Sequence, residues 1–218
     1  MPRDTFDLQL SALQDALMSM GGMVDRALDR SVKALAERDL ELARQVIADD
    51  AQINRAQHDI EEQCIVLLAT QQPMARDLRI IVAILNIVVE LERIGDYAEG
   101  IGKIALRLLE EPELKPLIDI PRMAAVAREL IGASLRSFVA RDAALARMVA
   151  ERDDEVDALT DQVYRELLTY MLDDPKTIAR ATHLMWVSHN LERAADRATN
   201  IAERVVQLVT GEIEELNP

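Results

Sequence analysis

The chain cannot form an internal disulfide, because Cys64 is its only cysteine. A lone thiol fits a reducing compartment. Its place at an apolar position of a helical pattern makes it a small buried hydrophobe rather than a reactive group. Aromatic residues make up only 3% of the sequence, so Leu, Ile, Val and Ala must build the core. Glycine and proline number seven each and fall mostly between periodic segments, which leaves long stretches free to be helical. The most apolar stretch, Leu78 to Leu91, is broken by Arg79, Asn86 and Glu90 and is too short to span a bilayer. The opening Met1-Pro2-Arg3-Asp4-Thr5-Phe6 is polar at once and carries no signal-peptide pattern. Basic residues are also scarce. Lys and Arg number 25 against 39 Asp and Glu, giving a net charge of −14. That opposes non-specific nucleic-acid binding and suits cation binding. These absences predict a soluble, cytoplasmic protein.

What is present is a duplication. Leu91-Glu92-Arg93-Ile94-Gly95-Asp96 returns as Leu191-Glu192-Arg193-Ala194-Ala195-Asp196. Asp50-Ala51-Gln52-Ile53-Asn54 matches Asp153-Asp154-Glu155-Val156-Asp157, and Arg38-Asp39 matches Arg141-Asp142, at a spacing of 103 residues. After the turn at Pro73 the spacing drops to 100, a slip that a turn can absorb. The helical period then divides the chain into six segments. They run from about Phe6 to Ala36, Leu40 to Thr70, the turn after Pro73 to Leu109, Arg122 to Ala140, Asp142 to Leu172, and Pro175 to Thr210. Gly21-Gly22 is expected to bend the first, Asp39 to cap the second, and Gly211 to stop the sixth. The acidic tail after Gly211 is expected to fray. Pro112, Pro116 and Pro121 mark the connector between copies. The fold class is therefore all-α, two tandem three-helix bundles, with residues 1–111 as one repeat and 112–218 as the other.

The chemistry lies in the carboxylates. Glu92 and Asp96, like Glu192 and Asp196, are four residues apart and share a helix face. If the second and third helices fold as a hairpin near Pro73, Asp50 lands beside Asp96 and Asn54 beside Glu92. In the second copy Asp153 and Asp157 land beside Asp196 and Glu192. A single acidic pair at this spacing is ordinarily a solvated face. Facing partners in both copies turn the reading to metal binding, because crowded carboxylates must otherwise hold protons, and all-oxygen sites suit Mg²⁺, Mn²⁺ or iron. Asn200 extends the second stripe, whereas Gly100 holds its place in the first. His58 and Asp161 lie just past the stripes as auxiliary candidates. His58, His183 and His189 lack a glutamate three residues before them, so the Glu-x-x-His element of di-iron bundles is absent. Gly100-Ile101-Gly102-Lys103 lacks the spacing and hydroxyl of a Walker loop. Ser188-His189 and Cys64 form no nucleophile constellation. Met185 and Trp186 read as core residues. Arg76 and Arg79 stand at a helix start, where solvated arginines are the ordinary reading and an anion or partner contact the alternative.

These motifs resemble the PhoU family of phosphate-uptake regulators. The resemblance rests on Gln71-Gln72-Pro73-Met74-Ala75-Arg76-Asp77-Leu78-Arg79, the Leu91–Asp96 motif, Phe6–Leu10, Met20-Gly21, Asp50-x-x-Ile53-Asn54 and the second copy. It implies paired three-helix bundles that hold divalent ions or multinuclear clusters of Mg, Mn, Fe or Zn on Asp50, Asn54, Glu92, Asp96, Asp153, Asp157, Glu192, Asp196 and Asn200. It implies a non-enzymatic adaptor between the phosphate ABC transporter and a sensor histidine kinase, repressing phosphate-starvation genes. The expected partners are those two proteins and a second copy of the chain, without nucleic acid and with only peripheral contact to the membrane. Gly100, where the family often has Asn, and Ala194-Ala195, where it has Ile-Gly, set the two sites apart. The reading from another class is a carboxylate-bridged metalloenzyme, which would need an open metal position and a substrate cleft. A third is a structural helical protein without metal.

Overall fold

The computed structural model describes residues 2–216, with side chains from residue 5 onwards. Three long helices, α1 (Pro2–Ala36), α2 (Leu40–Gln71) and α3 (Arg76–Leu108), pack on one another as the first bundle. The second consists of α4 (Asp119–Ala140), α5 (Ala143–Glu151), α6 (Asp154–Asp173) and α7 (Ile178–Thr210), with a 3₁₀ turn at Pro175–Thr177 before α7. There is no strand among the described residues. Pro121 sits in the first turn of α4, where a missing N–H breaks no helical hydrogen bond. The connector is therefore shorter than expected.

The repeat is visible in the backbone. Arg38 and Arg141 both adopt the left-handed conformation, with φ of 58° and 56°. Each closes a helix in the same way. The N–H of Arg38 reaches Leu35 and that of Asp39 reaches Ala34, while Arg141 reaches Phe138 and Asp142 reaches Ser137. This is the Schellman pattern, with arginine where glycine is usual. The aspartate that follows then caps the next helix. Asp39 accepts from the Leu42 N–H at 2.9 Å, and Asp142 accepts from Ala144 and Leu145 at 2.9 and 3.0 Å.

The fifth predicted helix breaks in two at Arg152-Asp153. Tighter i→i−3 bonds take over there, from Arg152 to Val149, Asp153 to Ala150 and Val156 to Asp153. The charge pattern supplies the reason. A continuous helix would stack Glu151, Asp153, Asp154, Glu155 and Asp157 at repulsive spacings. A new start at Asp154 places three of them in a first turn, where the helix dipole favours negative charge. Arg152 then pairs with Glu155 and Glu129, both at 3.1 Å.

Between bundles, α3 packs against α7 and α1 against α4, and one hydrophobic core runs through both repeats. Gly21 does not interrupt α1. A Cβ there would stand 2.4 Å from the Leu135 Cδ1, so the glycine lets α4 approach. Arg128 of α4 reaches back to Asp25 at 2.8 and 2.9 Å and also bonds Asp29. As far as Leu216 the tail is tied down rather than frayed: Glu214 holds Arg147 through two bonds of 2.6 and 2.9 Å, and the Leu216 N–H reaches Glu203 at 3.0 Å; Asn217 and Pro218 lie outside the described residues.

Ala75, just before α3, has φ 49° and ψ −106°, a region that L-residues rarely occupy. Ala75→Gly removes that strain and should raise stability by up to about 1 kcal/mol. Thermal unfolding of the two proteins checks it; a lower melting temperature would show that the backbone there is relaxed.

Candidate metal sites on two acidic stripes

The hairpin brings Asp50 of α2 within reach of the Glu92 and Asp96 charges of α3. Asp50 on α2 faces α3, with its Oδ1 3.6 Å from where a Gly95 Cβ would stand. Its partner Asn54 donates through Nδ2 to the Asp50 Oδ2 at 3.0 Å. That bond leaves the Asp50 Oδ1 and the Asn54 Oδ1 buried without a hydrogen-bond partner. Two buried acceptors with no donor are costly, and a hard cation satisfies both. Burial, and then the Glu99 and Asp96 charges, push the Asp50 carboxyl above the ordinary range. Burial, then Asp96, raise Glu92, with Asp50 and Glu61 adding to the effect. Glu61 and Glu99 thus belong to this group although the sequence reading passed them over. The signal was there: Glu99 lies three residues past Asp96 and Glu61 seven past Asn54, both on the same helix face.

The second group assembles around α6 and α7. Asp157 is raised by burial, then by Glu192, Asp196, Asp154 and Asp161. Asp196 is raised by burial and Glu192, against the opposing pull of Arg197, Arg193 and His189. Asp153 is buried at the helix break. Asp161 is close enough to act on Asp157, whereas His58 is exposed and lies 3.7 Å from Glu61. Among the described residues, no three Asp, Glu, His or Cys side chains converge as placed to hold one ion. The donor set nevertheless fits a cation in the first stripe, on the evidence of its two unpartnered oxygens.

The departures between copies have physical explanations. Gly95 allows Ile53 to within 3.1 Å of its Cβ position. In the second copy Val156 replaces Ile53, and Ala195 fills the space with its own methyl. Asn200 is turned to the seam between repeats, where its Nδ2 donates to Glu90 at 3.3 Å beside Arg197. Its counterpart Gly100 faces Asn190, whose Nδ2 lies 3.2 Å from the missing Cβ. Glu90 and Asn190 are themselves repeat counterparts, so the seam is two-fold-like in outline and different in chemistry.

Two other expectations meet the structure nearby. The Cys64 thiol is fully buried and pushed up to about 12 by burial and Glu61, which makes it inert. Trp186 is not a core residue. It is 55% exposed, because the helical period turns Leu184, Val187, Ser188 and Leu191 inward and leaves Trp186 on the opposite side. With Tyr164, Met185, His189 and Glu192 it lines a groove of about 370 Å³.

The raised carboxyls make the metal-free protein unusual in its pH response. Asp50, Glu92, Asp157 and Asp196 hold protons above the ordinary carboxylate range of about 4. Between that range and the raised values the folded chain binds more protons than the unfolded one. This contribution to stability is complete below the ordinary values and is lost as pH rises through the raised ones. Melting temperature of the chelator-treated protein should therefore climb as pH is lowered from neutrality towards the ordinary carboxylate range of about 4. A flat or falling profile would mean that these carboxyls titrate normally.

Comparison with known proteins places this arrangement in a family. The model of the PhoU domain matches twice, over residues 17–105 and 120–205. The phosphate-specific transport system accessory protein PhoU homolog of Aquifex aeolicus is 43% identical over 94% of this chain and 93% of its own. That of Pseudomonas aeruginosa is 39% identical over 94% of this chain and 86% of its own. The crystal structure of PhoU from Pseudomonas aeruginosa superposes with a TM-score of 0.90, at 38% identity, covering 95% of this chain and all of that one. The phosphate transport system regulatory protein PhoU from Streptococcus pneumoniae gives 0.88 at 31% identity, covering 96% and 99%. With both repeats matched and nearly full-length similarity, the chain belongs to the PhoU family.

Proposed function

We propose that this protein is a non-enzymatic regulator of phosphate uptake and signalling that couples the phosphate ABC transporter to a sensor histidine kinase and holds phosphate-starvation genes off when phosphate is plentiful. The observation that carries the reading is similarity over 94% of the chain to relatives whose names assign them to the phosphate-specific transport system. No helix among the described residues is long and apolar enough to cross a membrane. The proposal is therefore that it reaches the membrane through its partners from the cytoplasmic side.

Divalent metal is part of this proposal. Asp50, Asn54, Glu92 and Asp96 would hold it in one repeat, and Asp153, Asp157, Glu192 and Asp196 in the other. When bound, the metal would supply positive charge that neutralises the stripes. The chain's own residues present the ligand oxygens on rigid helices, and Arg93, 3.5 Å from Asp96, and Arg197, 3.3 Å from Glu90, orient carboxylates beside them.

Deleting the gene should leave phosphate-starvation genes active in phosphate-rich medium, and this chain should restore repression. Its membrane association should vanish in cells lacking the transporter and kinase, because a surface of this charge is not drawn to anionic lipid. Normal repression in the deletion strain would overturn the reading.

A further inference from the structure

Arg76, Arg79 and Arg141 line a cleft of about 490 Å³ between the start of α3 and the end of α7, with Leu208 and Val209. Among the described residues, none of these three guanidinium groups makes a hydrogen bond or ion pair. The Arg141 Nη1 is buried and unpartnered. The groups around it include both Arg76, which pushes its pKa down together with burial, and Asp77, which opposes them. Three unpaired arginines in a chain of net charge −14 are out of keeping with their surroundings.

The duplication supplies an internal reference. The counterpart cleft lies between the end of α3 and the start of α7, lined by Arg38, Leu108 and Arg180. Arg38 and Arg141 are repeat counterparts in the same left-handed conformation, and so are Leu108 and Leu208. That cleft is filled by the connector. Arg38 donates to the Leu109 and Glu111 carbonyls at 3.1 and 2.7 Å. Arg180 donates to the Pro112 carbonyl at 3.0 Å, and its Nε lies 3.5 Å from the Glu111 carboxylate. The adjoining helix start is also satisfied, because the Asp174 carboxylate accepts from the Lys176 N–H at 3.0 Å.

The open cleft lacks both carboxylates. The tail that follows α7 turns away to Arg147 and Glu203. Met74, 81% exposed, stands in the place of Asp174, and no side chain caps α3. With Asp77 in the place of Thr177, the net deficit relative to the filled cleft is one negative charge, beside an uncapped helix start that favours anions. Arginine forks match the oxygens of a phosphate as well as those of a carboxylate.

We propose that this cleft binds a tetrahedral dianion, inorganic phosphate, on Arg76, Arg79 and Arg141 at the uncapped start of α3. The site is separate from the acidic stripes and does not depend on their metal.

Titration calorimetry of the full chain with inorganic phosphate at constant ionic strength tests this. Saturable binding of one phosphate is expected, weakened at least tenfold in Arg141→Gln and separately in Arg76→Gln. Arg55→Gln, on the exposed side of α2, should leave it unchanged. Sulfate should compete, and acetate at the same concentration should not. Because Arg141 also closes a helix, circular dichroism checks that variant's fold; exposed Arg76 carries the test if Arg141→Gln fails to fold. Equal binding by the wild type and the arginine variants overturns the proposal. So does loss of phosphate binding in Asp96→Ala/Asp196→Ala with the arginine variants unaffected, which would assign phosphate to bound metal. An acidic peptide that occupies the cleft and is not displaced by phosphate also overturns it.

Discussion

Replacing Asp96 and Asp196 together by alanine is expected to remove most of the bound divalent metal while leaving the helical circular-dichroism signal nearly unchanged. Asp96 acts on both Asp50 and Glu92, and Asp196 on Asp157. Each aspartate therefore sits among the carboxylates of its own stripe. Neither belongs to the hydrophobic core, and the Asp96 side chain is 38% exposed. Alanine is the best helix former, so the helices should persist. The metal-free variant should also resist heat better at neutral pH than the metal-free wild type, because two like charges leave crowded groups. Elemental analysis after gel filtration reads the first effect. Unchanged metal content would return the stripes to the status of solvated faces.

Much of this arrangement was legible because helical spacing carries it. The repeats, the cap at Asp39, and the hairpin that sets Asp50 against Glu92 and Asp96 all follow from period and symmetry. What escaped depended on charge and on tertiary neighbours. The break at Arg152-Asp153 comes from acidic crowding that a hydrophobic pattern does not register. Gly21 looked like a bend, but its use is decided by Leu135, which is far away in sequence. Glu214 looked like a free tail until Arg147 was found beside it. Asn200 continued the stripe by spacing, yet it meets Glu90 from the other repeat. Arg76 and Arg79 looked like ordinary solvated residues; only comparison with the connector-filled cleft gives them a meaning.

The second large effect is expected from Phe138→Ala, which should destabilise the protein by about 3–5 kcal/mol. Phe138 is fully buried in α4. Side chains held on packed helices collapse only partly around a cavity. The Arg141 guanidinium lies 5.8 Å from the Phe138 ring centroid, so the substitution also removes a cation–π contact next to the helix closure. Because the core is continuous across both repeats, the loss should lower one cooperative transition rather than release one bundle. Urea unfolding of the metal-free protein, followed by circular dichroism and by Trp186 fluorescence, reads both points. Trp186 lies on α7, which packs against α3 of the first repeat and α4 of the second. Coincident transitions shifted to lower urea match the shared core. Separate transitions would show that the bundles unfold independently, and a shift worth less than about 1 kcal/mol would show that the Phe138 site can close.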